Sequence, residues 1–136
     1  MKAISPYLFF PGNCEEALHF YEHALSGTIS SIQRFGDAEM PVEEDYKQKI
    51  MHAELSVGDL SLMFSDGAPH KELVKGNTMY LSLEMDSVEE QDQVFERLSD
   101  QGSVIMELQD TFWGARFGQV EDRFGIRWML NIQLST

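Results

Sequence analysis

Two stretches of this chain begin alike. Asn13-Cys-Glu-Glu16 and Ser87-Val-Glu-Glu90 each place a capping side chain three residues before a glutamate, which is capping-box spacing at the start of a helix. The early glutamates also suit the positive end of a helix dipole. Ala17, Tyr21, Ala24 and Leu25 continue the first stretch as an apolar stripe, and Val88, Val94, Phe95 and Leu98 continue the second. Gly27 and Gly102 close them as left-handed helix caps. At an offset of 74 residues, Glu15 meets Glu89, Glu16 meets Glu90, Tyr21 meets Phe95 and Glu22 meets Glu96. A chain with such a repeat builds one unit twice.

The flanks repeat as well. Alternating, β-branched or aromatic runs predict a strand at 3–10 before the first helix and strands at 28–35, 50–57 and 60–65 after it. The second set is 78–85, then 103–108, 115–121 and 126–132. Gly58-Asp59 and Phe124-Gly125 are turn signals between the last two strands of each set. The expected fold is therefore α+β, with two βαβββ modules at about 1–66 and 77–134. A polar segment at 37–49 reads as a mobile loop, and 66–77, with Gly67, Pro69 and Gly76, as the linker between modules.

Strand alternation separates two faces. Ala53, Leu55, Leu62, Phe64, Leu81, Leu83, Trp128, Leu130 and Ile132, with Met51 and Val57, make an apolar face for the helices. The other face is amphiphilic: His52, Glu54, Ser56, Ser61, Met63, Ser65, Tyr80, Ser82, Glu84, Arg127, Met129 and Asn131. A flat sheet bathed in water has no need of Met63, Tyr80 and Met129 there, whereas a sheet curved around a cleft does. Polar groups converging among apolar ones are the make-up of a small-ligand pocket. A solvated sheet face is the alternative.

Composition narrows the partners. The 136 residues suffice for one domain with a real core. Ten basic against 23 acidic residues give a net charge of −13, a surface that repels nucleic acid and anionic lipid. No apolar run approaches a bilayer span, and the N-terminal stretch lacks the pattern of a secretory signal. The single cysteine, Cys14, cannot form an internal disulfide, as befits a reducing cytoplasm, the expected location.

Several segments together resemble the vicinal oxygen chelate superfamily of glyoxalases, extradiol dioxygenases and fosfomycin-resistance proteins, and within it the PhnB-like branch. They are residues 7–17 (YLFFPGNCEEA), Phe20-Tyr21, His52-Ala-Glu-Leu55, Leu62-Met-Phe-Ser-Asp66, residues 112–118 (FWGARFG) and Asp122-Arg-Phe-Gly125 with Trp128. The resemblance implies paired βαβββ modules forming a curved mixed sheet around a cleft, commonly in a homodimer. Some relatives carry a methyltransferase label, but no glycine-rich strand–turn–helix segment to hold a methyl donor is found here.

In metal-dependent members, His, Glu or Gln side chains on the first and last strands of each module grip a divalent cation that chelates two substrate oxygens. Carried onto this chain, those positions fall at Pro6, near Met63, at Tyr80 and at Met129. Proline offers no side-chain donor, thioethers are soft, and neutral tyrosine is a rare ligand. The resemblance therefore implies no metal cofactor here, unless His52, Glu54 and Glu84 build a substitute site.

His52 is the candidate general base, with Glu54 or Glu84 as its neighbour; a structural histidine bonding across the sheet is the other reading. Arg127 is a candidate clamp for an anionic group, or the partner of a nearby acid. Met63, Ser65, Tyr80, Ser82, Glu84 and Met129 are candidate pocket walls; Trp113 is a candidate cover for the cleft or an edge-strand core residue, and Arg116 either reaches the ligand or balances acidic strands. His19 and His23 have ligand-like spacing but charged neighbours, and Cys14 begins a helix, where a thiolate is stabilised. Three functions follow: metal-free binding of a small molecule; a lyase, isomerase or dioxygenase using an atypical metal or a His52-centred base; and a structural dimer with a vestigial cleft.

Overall fold

In the computed structural model, which describes residues 1–134, both halves run through the same elements. The first half is β1 (Tyr7–Phe9), α1 (Cys14–Ala24), β2 (Thr28–Arg34), β3 (Ile50–Val57) and β4 (Leu60–Ser65). The second is β5 (Leu81–Glu84), α2 (Val88–Ser99), β6 (Ser103–Asp110), β7 (Ala115–Glu121) and β8 (Arg127–Gln133). Each half has its own four-stranded sheet, ordered β1-β4-β3-β2 and β5-β8-β7-β6. The first strand of each unit runs parallel to the last, and the other pairs are antiparallel. This is the expected α+β pair of βαβββ units, in two compact bodies, one ending at Val74 and one starting at Lys75.

The two opening strands are shorter than the alternation predicts, since each has a single partner strand. One face of each sheet takes the helix. In the first unit Ala17, Leu18, Tyr21 and Ala24 are fully buried, as are Ala53, Leu55 and Phe64. In the second, Leu98, Val120 and Leu130 are fully buried and Trp128 nearly so. Register shifts interrupt the β2–β3 and β6–β7 pairings, and one of them moves a core position. Gln33 pairs with His52, but Arg34 pairs with Ile50, leaving Met51 as an extra residue. That β-bulge puts Ile50, not Met51, fully in the core, correcting the simple alternation.

The helices are capped differently from each other. Ser87 behaves as read: its Oγ accepts the Glu90 N–H at 3.0 Å, and Glu90 accepts the Asp86 N–H at 2.8 Å. Asn13 makes no side-chain cap. Instead Asp66, far along the chain, accepts the Cys14 N–H at 2.9 Å and the Ile50 N–H at 2.8 Å. Asp66 is only 4% exposed, so it is a core residue and not the start of a linker. Segment 37–49 is likewise anchored: Tyr46 Oη donates to the Gly67 carbonyl at 2.8 Å and Lys49 Nζ to the Gly12 carbonyl at 2.8 Å. Arg34 adds a two-pronged bond to Glu15, at 2.9 and 2.8 Å, tying β2 to α1 and holding the Glu15 carboxyl below the usual range.

The helix ends also correct the reading. The left-handed residues are Ser26 (φ 53°) and Gln101 (φ 60°), each just before the glycine. Gly27 and Gly102 are needed for room. A Cβ on Gly27 would lie 2.9 Å from the Ser56 carbonyl oxygen, and one on Gly102 would lie closer still to that of Glu121. Both obstacles are backbone and cannot rotate away. Gly102→Ala is therefore expected to cost about 3 kcal/mol, at the upper end for overpacking, with Gly27→Ala costing less; urea unfolding of the two variants checks the order.

Candidate functional site

The open face of each sheet, turned from its helix, carries the candidate residues. In the first unit, register places Tyr7 beside Met63 on the parallel pair and Glu54 opposite Met63 on the antiparallel one. Tyr7 Oη lies 3.0 Å from His52 Nδ1, and the Tyr7 ring stacks on Phe9 with centroids 5.0 Å apart. Burial pushes the Tyr7 phenol up, partly opposed by a hydrogen bond with Ser65, so it stays protonated at neutral pH. His52 thus has a phenol for its partner. Ser65 is buried, and its Oγ accepts the Gly67 N–H at 2.9 Å. The first-unit open face is a mixed patch: two exposed aromatic rings, an imidazole, a thioether and a carboxylate.

In the second unit, Ser82 lies beside Met129 and Glu84 beside Asn131 on the parallel pair. Asn131 Nδ2 donates to Glu84 Oε2 at 2.9 Å. Arg127 Nη1 donates to Tyr80 Oη at 3.1 Å, its Nη2 lies 3.0 Å from Glu121 Oε1, and its guanidinium sits 5.7 Å from the Tyr80 ring centroid. The Tyr80 hydroxyl, and Glu121 after it, raise the Arg127 pKa. Arg127 is thus paired with an acid, and that acid is Glu121. Trp113, half exposed in the turn after β6, meets Phe117 of the open face edge-on at 6.4 Å.

Arg116 does not join this face. Its Nη1 donates to Gln91 Oε1 at 3.0 Å and its Nη2 to Asp92 Oδ1 at 2.7 Å, both on α2. The strand alternation turns residue 116 toward the helix, so its assignment as a ligand contact is corrected. Cys14 is corrected too. It is fully buried, and burial together with the Asp66 and Glu15 charges pushes its thiol far up, overriding the helix-start stabilisation of a thiolate. His19 faces solvent and pairs with Glu22 at 3.3 Å.

The positions that face each other across the parallel pairs are Tyr7 with Met63 and Ser82 with Met129. Pro6 gives Met63 only a backbone carbonyl, and Tyr80 lies just before β5, so the first-strand positions move to Tyr7 and Ser82. Two thioethers, a protonated phenol and a hydroxyl are poor donors for a hard divalent cation. Among the described residues, no group of three or more His, Cys, Asp or Glu side chains is arranged to hold a metal.

Residues 3–130 match the Glyoxalase/Bleomycin resistance protein/Dioxygenase superfamily. The chain belongs to that superfamily. Protein YjdN of Escherichia coli K12 is 32% identical over 140 residues, spanning 95% of this chain and 94% of YjdN. The crystal structure of PA1353 from Pseudomonas aeruginosa superposes with a TM-score of 0.88 at 44% identity, covering 98% of each chain. A PhnB protein from Bacillus cereus gives 0.79 at 28% identity, over 96% of this chain and 99% of its own.

Some of the motifs that carry the superfamily resemblance hold the fold together. In Asp122-Arg-Phe-Gly125, the buried Asp122 accepts the N–H groups of Phe124 (2.8 Å) and Ile126 (3.1 Å) and the Trp128 indole N–H (2.8 Å). The sequence reading placed the first-strand position at Pro6, with Tyr7 only as the off-by-one alternative, and passed over Phe9; the register pairs Tyr7 with Met63. It also passed over Gln91, which lies in the apolar stripe three residues after Val88 and four before Phe95. Gln91 is fully buried and donates to the carbonyls of Arg116 (2.9 Å) and Leu130 (3.1 Å).

Proposed function

We propose that this superfamily member binds a small, partly apolar molecule on the open face of a sheet, without the divalent cation that metal-dependent relatives use. The observation that supports this reading is the set of side chains at the paired strand positions: Tyr7, Met63, Ser82 and Met129. They replace hard donors with apolar or neutral groups, yet each face keeps polar points, His52 and Glu54 in the first unit and Glu84 and Arg127 in the second, the mixture that small-molecule sites use. Phe9 and Trp113, both about half exposed, add aromatic surface.

Protein purified without chelator is expected to carry no stoichiometric Mn, Fe, Ni or Zn by elemental analysis. In a thermal-shift screen, at least one small aromatic compound is expected to raise the melting temperature, by several degrees at ~100 times its Kd. Tyr7→Ala should remove that rise. Stoichiometric metal, or a screen in which nothing shifts, overturns the reading.

The Tyr7–His52 hydrogen bond favours one other function, an enzyme in which His52 moves a proton and the phenol fixes its ring orientation. Stoichiometric metal lost on His52→Ala would favour the atypical-metal form of such an enzyme.

A further inference from the structure

The chain has only 10 lysines and arginines against 23 acidic residues, yet Lys75, Arg123 and Arg127 line one groove of about 700 Å³ in the second unit. It lies beside the β7–β8 turn and the start of β6, with Asn77 and Ser103 adding neutral polar side chains. We propose that this groove is a binding site for a phosphate-type oxyanion, either free or as the end of a small phosphomonoester.

The acids in the same wall are accounted for. Glu121 is engaged by Arg127 at 3.0 Å. Asp122 is 3% exposed and its carboxylate turns inward to the Trp128 indole and two backbone N–H groups. Lys75 has no carboxylate partner among the described residues, so it is the cation of the groove left to meet an anion. Two of the three cations are also held in place. Arg123 is braced by Asp100 at 2.8 Å, and Arg127 by Tyr80 and Glu121. Lys75 lies over Gly125, whose φ of +87° and missing side chain make the space: a Cβ there would sit 2.8 Å from Lys75 Cδ and 3.1 Å from its Nζ. Two braced guanidiniums and a lysine around one concavity favour a compact multi-oxygen anion. The net charge of −13 repels anions in general, so saturable uptake requires a local site of this kind.

The test is calorimetric titration of the full chain with inorganic phosphate and with glycerol 3-phosphate, at ionic strength held constant with potassium chloride. Saturable binding is expected for at least one of them. Lys75→Ala should weaken it about tenfold, the loss of one charge-assisted hydrogen bond, and Arg127→Gln by a similar factor. Lys71→Ala, an exposed cation outside the groove, should change it less than about twofold. Tighter binding of glycerol 3-phosphate identifies an esterified ligand, and equal binding a free ion. No saturable binding of either probe, or equal losses in Lys71→Ala and Lys75→Ala, overturns the proposal. The groove lies in the second unit, so this test can succeed where the screen centred on Tyr7 fails, and the reverse.

Discussion

Asp122→Ala is expected to lower the stability of this protein by about 4 kcal/mol, roughly a 12–15 °C fall in melting temperature for a chain of this size. One carboxylate, 3% exposed, accepts two backbone N–H groups of its own turn and the indole N–H of Trp128, all at 2.8–3.1 Å. Trp128 is itself 1% exposed. Alanine leaves these donors without their acceptor, and each buried unsatisfied donor costs about 1–3 kcal/mol. Asp122→Asn should cost much less. Its amide oxygen can keep the Oδ1 position and both backbone bonds, so only the indole bond is lost and a donor then faces a donor. Trp128→Phe removes that conflict. A double-mutant cycle of Asp122→Asn and Trp128→Phe should therefore show a coupling of about 1 kcal/mol or more, measured by urea unfolding. Additive losses would mean that the indole bond contributes nothing.

The fold was legible in the sequence where the signal is periodic and local. The alternation in residues 60–65 and 126–132 survives as buried Leu62 and Phe64, and as buried Trp128, Leu130 and Ile132, because a strand with one covered face has no other way to satisfy its side chains. The duplicated helix starts were visible for the same reason. What escaped was set by partners far along the chain or by a single inserted residue. The bulge at Met51 shifts a face without changing composition. Gln91 occupies an apolar stripe because two strand carbonyls need a donor there, and nothing within its own helix announces them. Gly27 and Gly102 were found in the right places for the wrong reason, since the space they leave belongs to neighbouring strands. The open-face candidates His52, Glu54, Met63, Ser82, Glu84 and Met129 follow from alternation alone, whereas Tyr7 needed the register of a three-residue strand.

The same contrast between local and distant partners sets the outcome at Asp66. Here each carboxylate oxygen serves a different backbone donor: Oδ1 takes the Cys14 N–H at the start of α1, and Oδ2 takes the Ile50 N–H at the start of β3. An asparagine must present its NH₂ to one of those N–H groups whichever way it turns. Asp66→Asn is therefore expected to cost nearly as much as Asp66→Ala, about 3 kcal/mol for either, unlike the tolerant Asp122→Asn. In the second unit the cap of α2 is local, from Ser87 at the adjoining position. Losing the Asp66 bond should loosen the start of α1 before the rest of the chain, and Cys14 reports it. That thiol is fully buried and its pKa is pushed far up, so it should resist a thiol reagent in the native protein and react only through opening. Reaction of Asp66→Asn under native conditions should be faster by about 100-fold, the opening equilibrium shifted by the lost stability. If Asp66→Asn unfolds at the wild-type urea concentration with Cys14 still protected, the carboxylate is not what holds the helix to the sheet.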